Sequence, residues 1–334
     1  MDRLTEKLNE KGWLVADGAT GTNLFIKGLE TGHPPELWND EHPERVTALH
    51  TEFIEAGADI LLTNSFGANR LRLKLHKAED RVAELNKKAV MLACQARDMS
   101  GSDVLIAGSM GPTGELFEPL GALTPAQARD VFAEQAEALA EAGADILQIE
   151  TISSLDEAEA GAEAALATGL PVLVTMTFDT AGRSMMGVTP ADYAVWASEK
   201  QLHGYGANCG IGPAELLDSV MGFGAEPGGP LVVAKGNCGI PEYVEGHIHY
   251  HGTPELMARY AVLARDAGAS VIGGCCGTSA EHLKAMVDAL NAEPKAGIPD
   301  AVRLEAELGT AWAGLDTSSS APDRGGRGGR RRRR

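Results

Sequence analysis

One phrase recurs along this chain and restricts its fold more than any other feature. Glu55-Ala56-Gly57-Ala58-Asp59-Ile60-Leu61-Leu62 returns as Glu141-Ala142-Gly143-Ala144-Asp145-Ile146-Leu147-Gln148, and again as Asp266-Ala267-Gly268-Ala269-Ser270-Val271-Ile272-Gly273. Each copy reads as a helix end, a glycine stop and a buried strand. Glycine suits the position just past a helix, where the backbone turns left-handed. The apolar run does not alternate, as expected of a strand covered on both faces. Eight such runs occur: Trp13–Asp17, Ile60–Phe66, Val104–Met110, Ile146–Thr151, Val172–Phe178, Gly204–Cys209, Leu231–Lys235 and Ser270–Cys275. Helical patterns separate them, among them Glu44–Glu55, Val82–Arg97, Pro125–Ala142 and Pro254–Ala267. Eight strand–helix units predict a single-domain α/β protein, a (β/α)8 TIM barrel. A doubly wound open sheet is the rival fold.

Polar residues and glycines gather where these strands end: Asp17-Gly18, Thr63-Asn64, Glu150-Thr151, Asn208-Cys209, Lys235-Gly236 and Gly274-Cys275-Cys276. A barrel brings such ends to one face, where active sites lie. Cys209, Cys275 and Cys276 therefore stand two strands apart in the ring. Three thiolates with one open position make a catalytic zinc site. Adjacent side chains on a regular strand face opposite ways. The flanking glycines must therefore turn the backbone if both sulfurs are to meet one ion. The bland reading of these cysteines is small buried residues beside glycines. Cys238 reads as a bystander thiol, Cys94 as part of a helical apolar stripe, and His247, His249 and His251 as surface residues of a loop.

Asp17 and Glu150 end strands one and four, where a carboxylate can bind an ammonium group. Gly18 and Ala19 open a stretch, through Thr22, that reads as a flexible loop with amides for an anion. A thiolate-rich zinc activates water poorly but holds a substrate thiol as its anion. An amino acid bearing a thiol matches every part.

Composition sets outer limits. Hydrophobic residues make up 44% of the 334, enough for a large core, and no stretch is long and apolar enough to span a membrane. Five cysteines are too few for a disulfide scaffold, and the charged N-terminus lacks an apolar signal core. A cytoplasmic protein with no membrane partner is expected. Seven of the 29 bases lie in residues 324–334, which hold no acid; the other 22 face 47 acids, a net charge of −25. Such a body repels nucleic acid, so binding through the arginines is not the main role. Residues 1–315 are expected to form the barrel, and 316–334 a disordered Gly/Arg-rich tail.

The motifs Asp17-Gly18-Ala19-Thr20-Gly21-Thr22, Thr63-Asn64-Ser65-Phe66-Gly67, Gly111-Pro112-Thr113-Gly114-Glu115, Asn208-Cys209 and Gly273-Gly274-Cys275-Cys276-Gly277-Thr278 resemble those of the zinc-dependent homocysteine S-methyltransferases. That family includes betaine–homocysteine methyltransferases and the homocysteine-binding module of cobalamin-dependent methionine synthase. The resemblance runs from about Trp13 to Leu290. It implies a (β/α)8 barrel, zinc on Cys209, Cys275 and Cys276, homocysteine thiolate as a further ligand, and methionine as product. It also implies that Asp17, Glu150, Gly18 and Ala19 hold the amino-acid end.

The methyl donor is less constrained. Trp38 matches the aromatic that betaine enzymes place against a trimethylammonium group. Thr151 and Phe66-Gly67 stand where those enzymes have tyrosines. Two donors stay open: betaine or a related onium compound bound directly, or a separate corrinoid protein, as in a split cobalamin-dependent methionine synthase. Two rivals stand outside the resemblance, a phosphate-handling barrel using the glycine-rich ends of the last two strands, and a binder acting through the arginine tail.

Overall fold

The computed structural model describes residues 2–224, 229–244 and 247–313. Eight parallel strands form its centre: β1 (Leu14–Val15), β2 (Ile60–Leu62), β3 (Leu105–Met110), β4 (Ile146–Ile152), β5 (Val172–Met176), β6 (Gly204–Cys209), β7 (Leu231–Gly236) and β8 (Val271–Gly274). Neighbours in sequence are neighbours in the sheet, and β8 pairs with β1 through Leu14–Val271 and Val15–Ile272. The ring closes between β1 and β2 by a parallel bridge, Ala16 to Ile60. Helices wrap the outside, including Pro43–Glu55, Val82–Ser100, Pro125–Glu141 and Pro254–Asp266. The expected (β/α)8 barrel is the fold found, and the open sheet is excluded.

The inward side chains change character along the barrel axis. At the strand starts Leu14, Ile60, Leu105, Ile146, Leu173, Val233 and Val271 form one cluster with Leu4. Leu4 belongs to the N-terminal helix Arg3–Lys11, which closes that end. Further along, the same faces carry Ser109, Gln148, Glu150, Thr175, Asn208 and Lys235, all buried. The apolar layers hold the barrel, and the polar layer above them is the floor of a site.

Three local expectations are corrected. The run from Ile60 leaves the sheet after Leu62. Ser65 N–H turns back to the Thr63 carbonyl at 2.8 Å, and the two hydroxyls meet at 2.6 Å. Such side-chain bonding competes with a ladder. The histidine segment is not a loop: His247–Tyr250 pairs antiparallel with Pro241–Val244 as a hairpin after β7. The Gly18–Thr22 stretch is the start of a helix, Thr20–Ile26, rather than a flexible loop. The expected Gly/Arg-rich tail lies outside the described residues. Among the described residues no helix is long and apolar enough to cross a membrane.

Candidate active site

The three cysteines of β6 and β8 meet. The sulfurs of Cys209, Cys275 and Cys276 lie within 4.8 Å of one another. The vicinal pair manages this because β8 stops at Gly274 and the chain turns, with Thr278 N–H donating to the Cys275 carbonyl at 3.1 Å. A Cβ on Gly274 would sit 2.2 Å from Thr278, and one on Gly277 2.3 Å from Tyr250. Gly277 also has φ +81°. The glycines around the cysteines are thus required by close approach and by the turn. Cys275 N–H donates to the Gly236 carbonyl at 2.7 Å, and Cys276 N–H to Asn237 Oδ1 at 3.0 Å.

Cys209 has φ +63°, and Thr151, on β4 two strands away, has φ +65°. Both conformations cost energy for residues with a Cβ and persist only when surroundings impose them. Asn208, the residue before Cys209, pins Thr151. Its Oδ1 accepts from Thr151 N–H at 2.8 Å and from the Thr175 hydroxyl at 2.7 Å, while Nδ2 donates to Thr151 Oγ1 at 2.8 Å. Contacts with Cys275 and Cys276 hold the Cys209 thiol well below the usual thiol range, and the same contact with Cys209 pushes Cys275 and Cys276 up. Sulfurs packed this closely resist joint ionisation, and a soft divalent cation relieves that repulsion. The donor set fits zinc. Cys238 stands outside the cluster, buried, with its thiol donating to the Gly252 carbonyl at 3.0 Å. Cys94 packs partly buried against the helical core.

The sulfurs line a cavity of about 520 Å³ that also exposes Gly18, Ala19, Ser109, Glu150, Thr151 and Lys235. Glu150 Oε1 accepts from Ser109 Oγ at 2.5 Å, and Oε2 lies 3.5 Å from Lys235 Nζ. Asp17 does not reach the cavity wall. It is fully buried, its Oδ2 takes Leu62 N–H at 2.8 Å, and its Oδ1 lies 3.9 Å from Lys235 Nζ. Burial pushes Asp17 up to about 7 and raises Glu150, with Lys235 opposing both. Burial works against the Lys235 charge, yet Glu150 and Asp17 outweigh it and raise its pKa. The Ala19 amide is engaged, donating to the Thr278 carbonyl at 3.0 Å.

Trp38 is not brought to this cavity. It is 4% exposed, packs in the core, and has the Arg45 guanidinium 4.9 Å from its ring centre. The cation it faces belongs to its own chain. The outer cavity wall is instead lined by Phe25, Phe66, Pro34, Pro35, Glu36 and Arg72. Glu36 is buried and accepts Gly67 N–H at 2.6 Å; a Cβ on Gly67 would sit 2.8 Å from its Oε1. A larger residue at 67 would displace that carboxylate. His249 and His251 are exposed, and His251 pairs with Glu242 at 2.8 Å. Reading the sequence alone missed the roles of Lys235, Ser109, Asn208 and Glu36. The available signals were a lysine closing the buried run Leu231–Lys235 and Asn208 beside Cys209 at the end of a strand.

Comparison with known proteins agrees with this geometry. A family model described as homocysteine S-methyltransferase matches residues 14–290. The chain is 30% identical over 295 residues to the methionine synthase of Mycobacterium tuberculosis, covering 83% of itself and 24% of that protein. It therefore spans about a quarter of the length of the methionine synthases it matches. It is 30% identical over 338 residues to betaine–homocysteine S-methyltransferase 1 of Bos taurus, covering 94% of itself and 80% of that protein. The metallated form of the homocysteine methyltransferase MmuM from Escherichia coli superposes with a TM-score of 0.71 at 25% identity, over 85% of this chain and 98% of that one. From the barrel, the cysteine cluster and the match over residues 14–290 it follows that the chain belongs to the homocysteine S-methyltransferase family.

Proposed function

We propose that this methyltransferase converts homocysteine to methionine, with zinc held by Cys209, Cys275 and Cys276 and with betaine or a related small onium compound as donor. The observation that carries the reading is the convergence of three sulfurs on a cavity wall shared with Glu150. Zinc on three thiolates supplies affinity for a further thiol in its ionised form. The chain's own residues supply position. Glu150, held by Ser109 and Lys235, faces the substrate ammonium across the cavity. Asn237 holds the Cys276 amide, and Asn208 Nδ2 donates to Cys275 Sγ at 3.8 Å. In the transfer, the substrate sulfur bonds to the methyl carbon and the donor nitrogen keeps the electron pair of the broken bond. The leaving group departs as a tertiary amine, so no general acid is needed. Zinc on the three cysteines would hold the thiol as its anion, its proton already lost to solvent, so no general base is needed either.

The outer wall supports an onium donor. Phe25 and Phe66 offer aromatic surface, which attracts a quaternary cation. The similarity to methionine synthase favours a second reading, in which a separate corrinoid protein delivers the methyl group. One experiment separates them: zinc-loaded protein is given homocysteine with betaine, a sulfonium compound or methylcobalamin, and methionine is measured. Turnover with betaine or the sulfonium supports the first reading, and turnover with methylcobalamin alone supports the second. Cys275→Ala is expected to lose both bound zinc, read by elemental analysis, and methyl transfer. Full activity in a zinc-free Cys275→Ala protein would refute the mechanism.

A further inference from the structure

We infer that Glu242, His249 and His251 form a metal site apart from the cysteine cluster, on the outward face of the hairpin that follows β7. Its ligand is a divalent cation that favours imidazole: zinc, nickel or copper. Side chains alternate along the second hairpin strand and just past its end. Tyr250 turns inward, and a Cβ on Gly277 would sit 2.3 Å from its ring. Its neighbours His249 and His251 are exposed, so both imidazoles share the opposite face. Glu242 pairs with His249 across the hairpin and belongs to that face too. His251 Nε2 already lies 2.8 Å from Glu242 Oε2.

These three groups have few other partners. Residues 238–252 hold no lysine or arginine. Among the described residues His249 makes no hydrogen bond or ion pair, and the Glu242 carboxylate meets only His251. Imidazole nitrogen and carboxylate oxygen are donors that late first-row divalent ions accept, at about 2.0–2.2 Å. Opposed residues of an antiparallel pair have Cβ atoms about 5 Å apart, and residues two apart on one strand about 7 Å. Both spacings let the side chains reach one ion. Their ligand atoms do not all lie within 4.8 Å of one another, as the cysteine sulfurs do. Only the His249 ring has to turn, and an exposed ring changes rotamer freely. The ion would tie Glu242 on one strand to the histidines on the other. A two-stranded hairpin is marginally stable by itself. This one rests on the cysteine turn through Tyr250 and through Cys238 N–H, which donates to the Cys276 carbonyl at 2.9 Å. The ion braces it from the outer face.

The test uses nickel as the probe. Zinc-loaded full-length protein is dialysed against micromolar Ni2+, and both metals are counted by elemental analysis. An exposed ion exchanges with the buffer, so uptake is read at equilibrium. The wild type should take up one nickel ion per chain and keep its zinc. The double variant His249→Ala, His251→Ala should take up none and also keep its zinc. No nickel on the wild type, nickel that replaces zinc ion for ion, or uptake that persists in the double variant overturns the inference. Failure of the cysteines to hold zinc tells against the methyl-transfer reading instead; the hairpin site is then judged by whether the histidine substitutions remove nickel. Thermal melting checks that the double variant folds. If it does not, Glu242→Gln is titrated with nickel by calorimetry. Binding weaker by about threefold or more supports the site, and a smaller change overturns it.

Discussion

At Asp17, burial and charge pull in opposite directions. Removal from water pushes its pKa from 3.8 up to about 7, while Lys235 pulls it down. In the unfolded chain the same carboxyl loses its proton near 3.8. Between those values the folded protein holds the proton and the unfolded chain does not. Stability therefore falls as pH rises through that window, and levels off above about 7. Glu150, raised by the same cause, adds to the fall. Asp17→Asn, which does not titrate, is expected to lose less stability than the wild type between pH 4 and pH 7 in urea unfolding. Identical slopes for the two proteins would mean that Lys235 keeps Asp17 ionised throughout. The residue scale also shows where reading the sequence stops short. Asp17 was legible as a strand-end acid, but not that it would be fully buried, off the cavity wall and 3.9 Å from Lys235. Trp38 was legible as an aromatic, but its face is taken by Arg45.

Elements decide whether three thiols become one site. The Gly-Gly-Cys-Cys-Gly run ends β8 in a turn that tolerates no side chain at its glycines. Gly277 and Gly12 have almost the same φ, +81° and +80°, but a Cβ on Gly277 meets Tyr250 at 2.3 Å and one on Gly12 meets nothing within 4 Å. Alanine at either position bears the left-handed strain of about 1 kcal/mol. Only Gly277→Ala adds a collision with the hairpin. It is expected to lose about 3 kcal/mol or more in urea unfolding and to bind less zinc; Gly12→Ala loses about 1 kcal/mol and keeps its zinc. Equal losses would show that Tyr250 yields freely. Helix and strand positions were mostly legible, because apolar periodicity and glycine stops are local. The hairpin at His247–Tyr250 reads as a loop in the sequence: His247, His249 and His251 alternate as in a strand, but the partner Pro241–Val244 that makes it one is not legible there.

Over the whole molecule, stability and chemistry occupy opposite ends of one barrel. Leu4 closes the strand-start end, fully buried with Leu14, Ile60 and Val271. Leu4→Ala leaves a cavity there and is expected to cost about 2–4 kcal/mol in urea unfolding. The KM for homocysteine should not change, because the cysteines and Glu150 sit at the far ends of the strands. A change in KM without loss of stability would contradict this division. The sequence by itself determined the barrel and the meeting of the three thiols. Eight strand–helix units close in one way, and closure carries every strand end to the same face. Only the tertiary structure decided that Lys235 stands between Glu150 and Asp17, that Trp38 turns into the core, and that Glu36 fills the space beside Gly67. Each of these depends on burial and on partners brought from distant parts of the chain, 85 residues apart for Lys235 and Glu150. Desolvation and charge are set by everything within a few ångströms in space, and no stretch of sequence contains that sum.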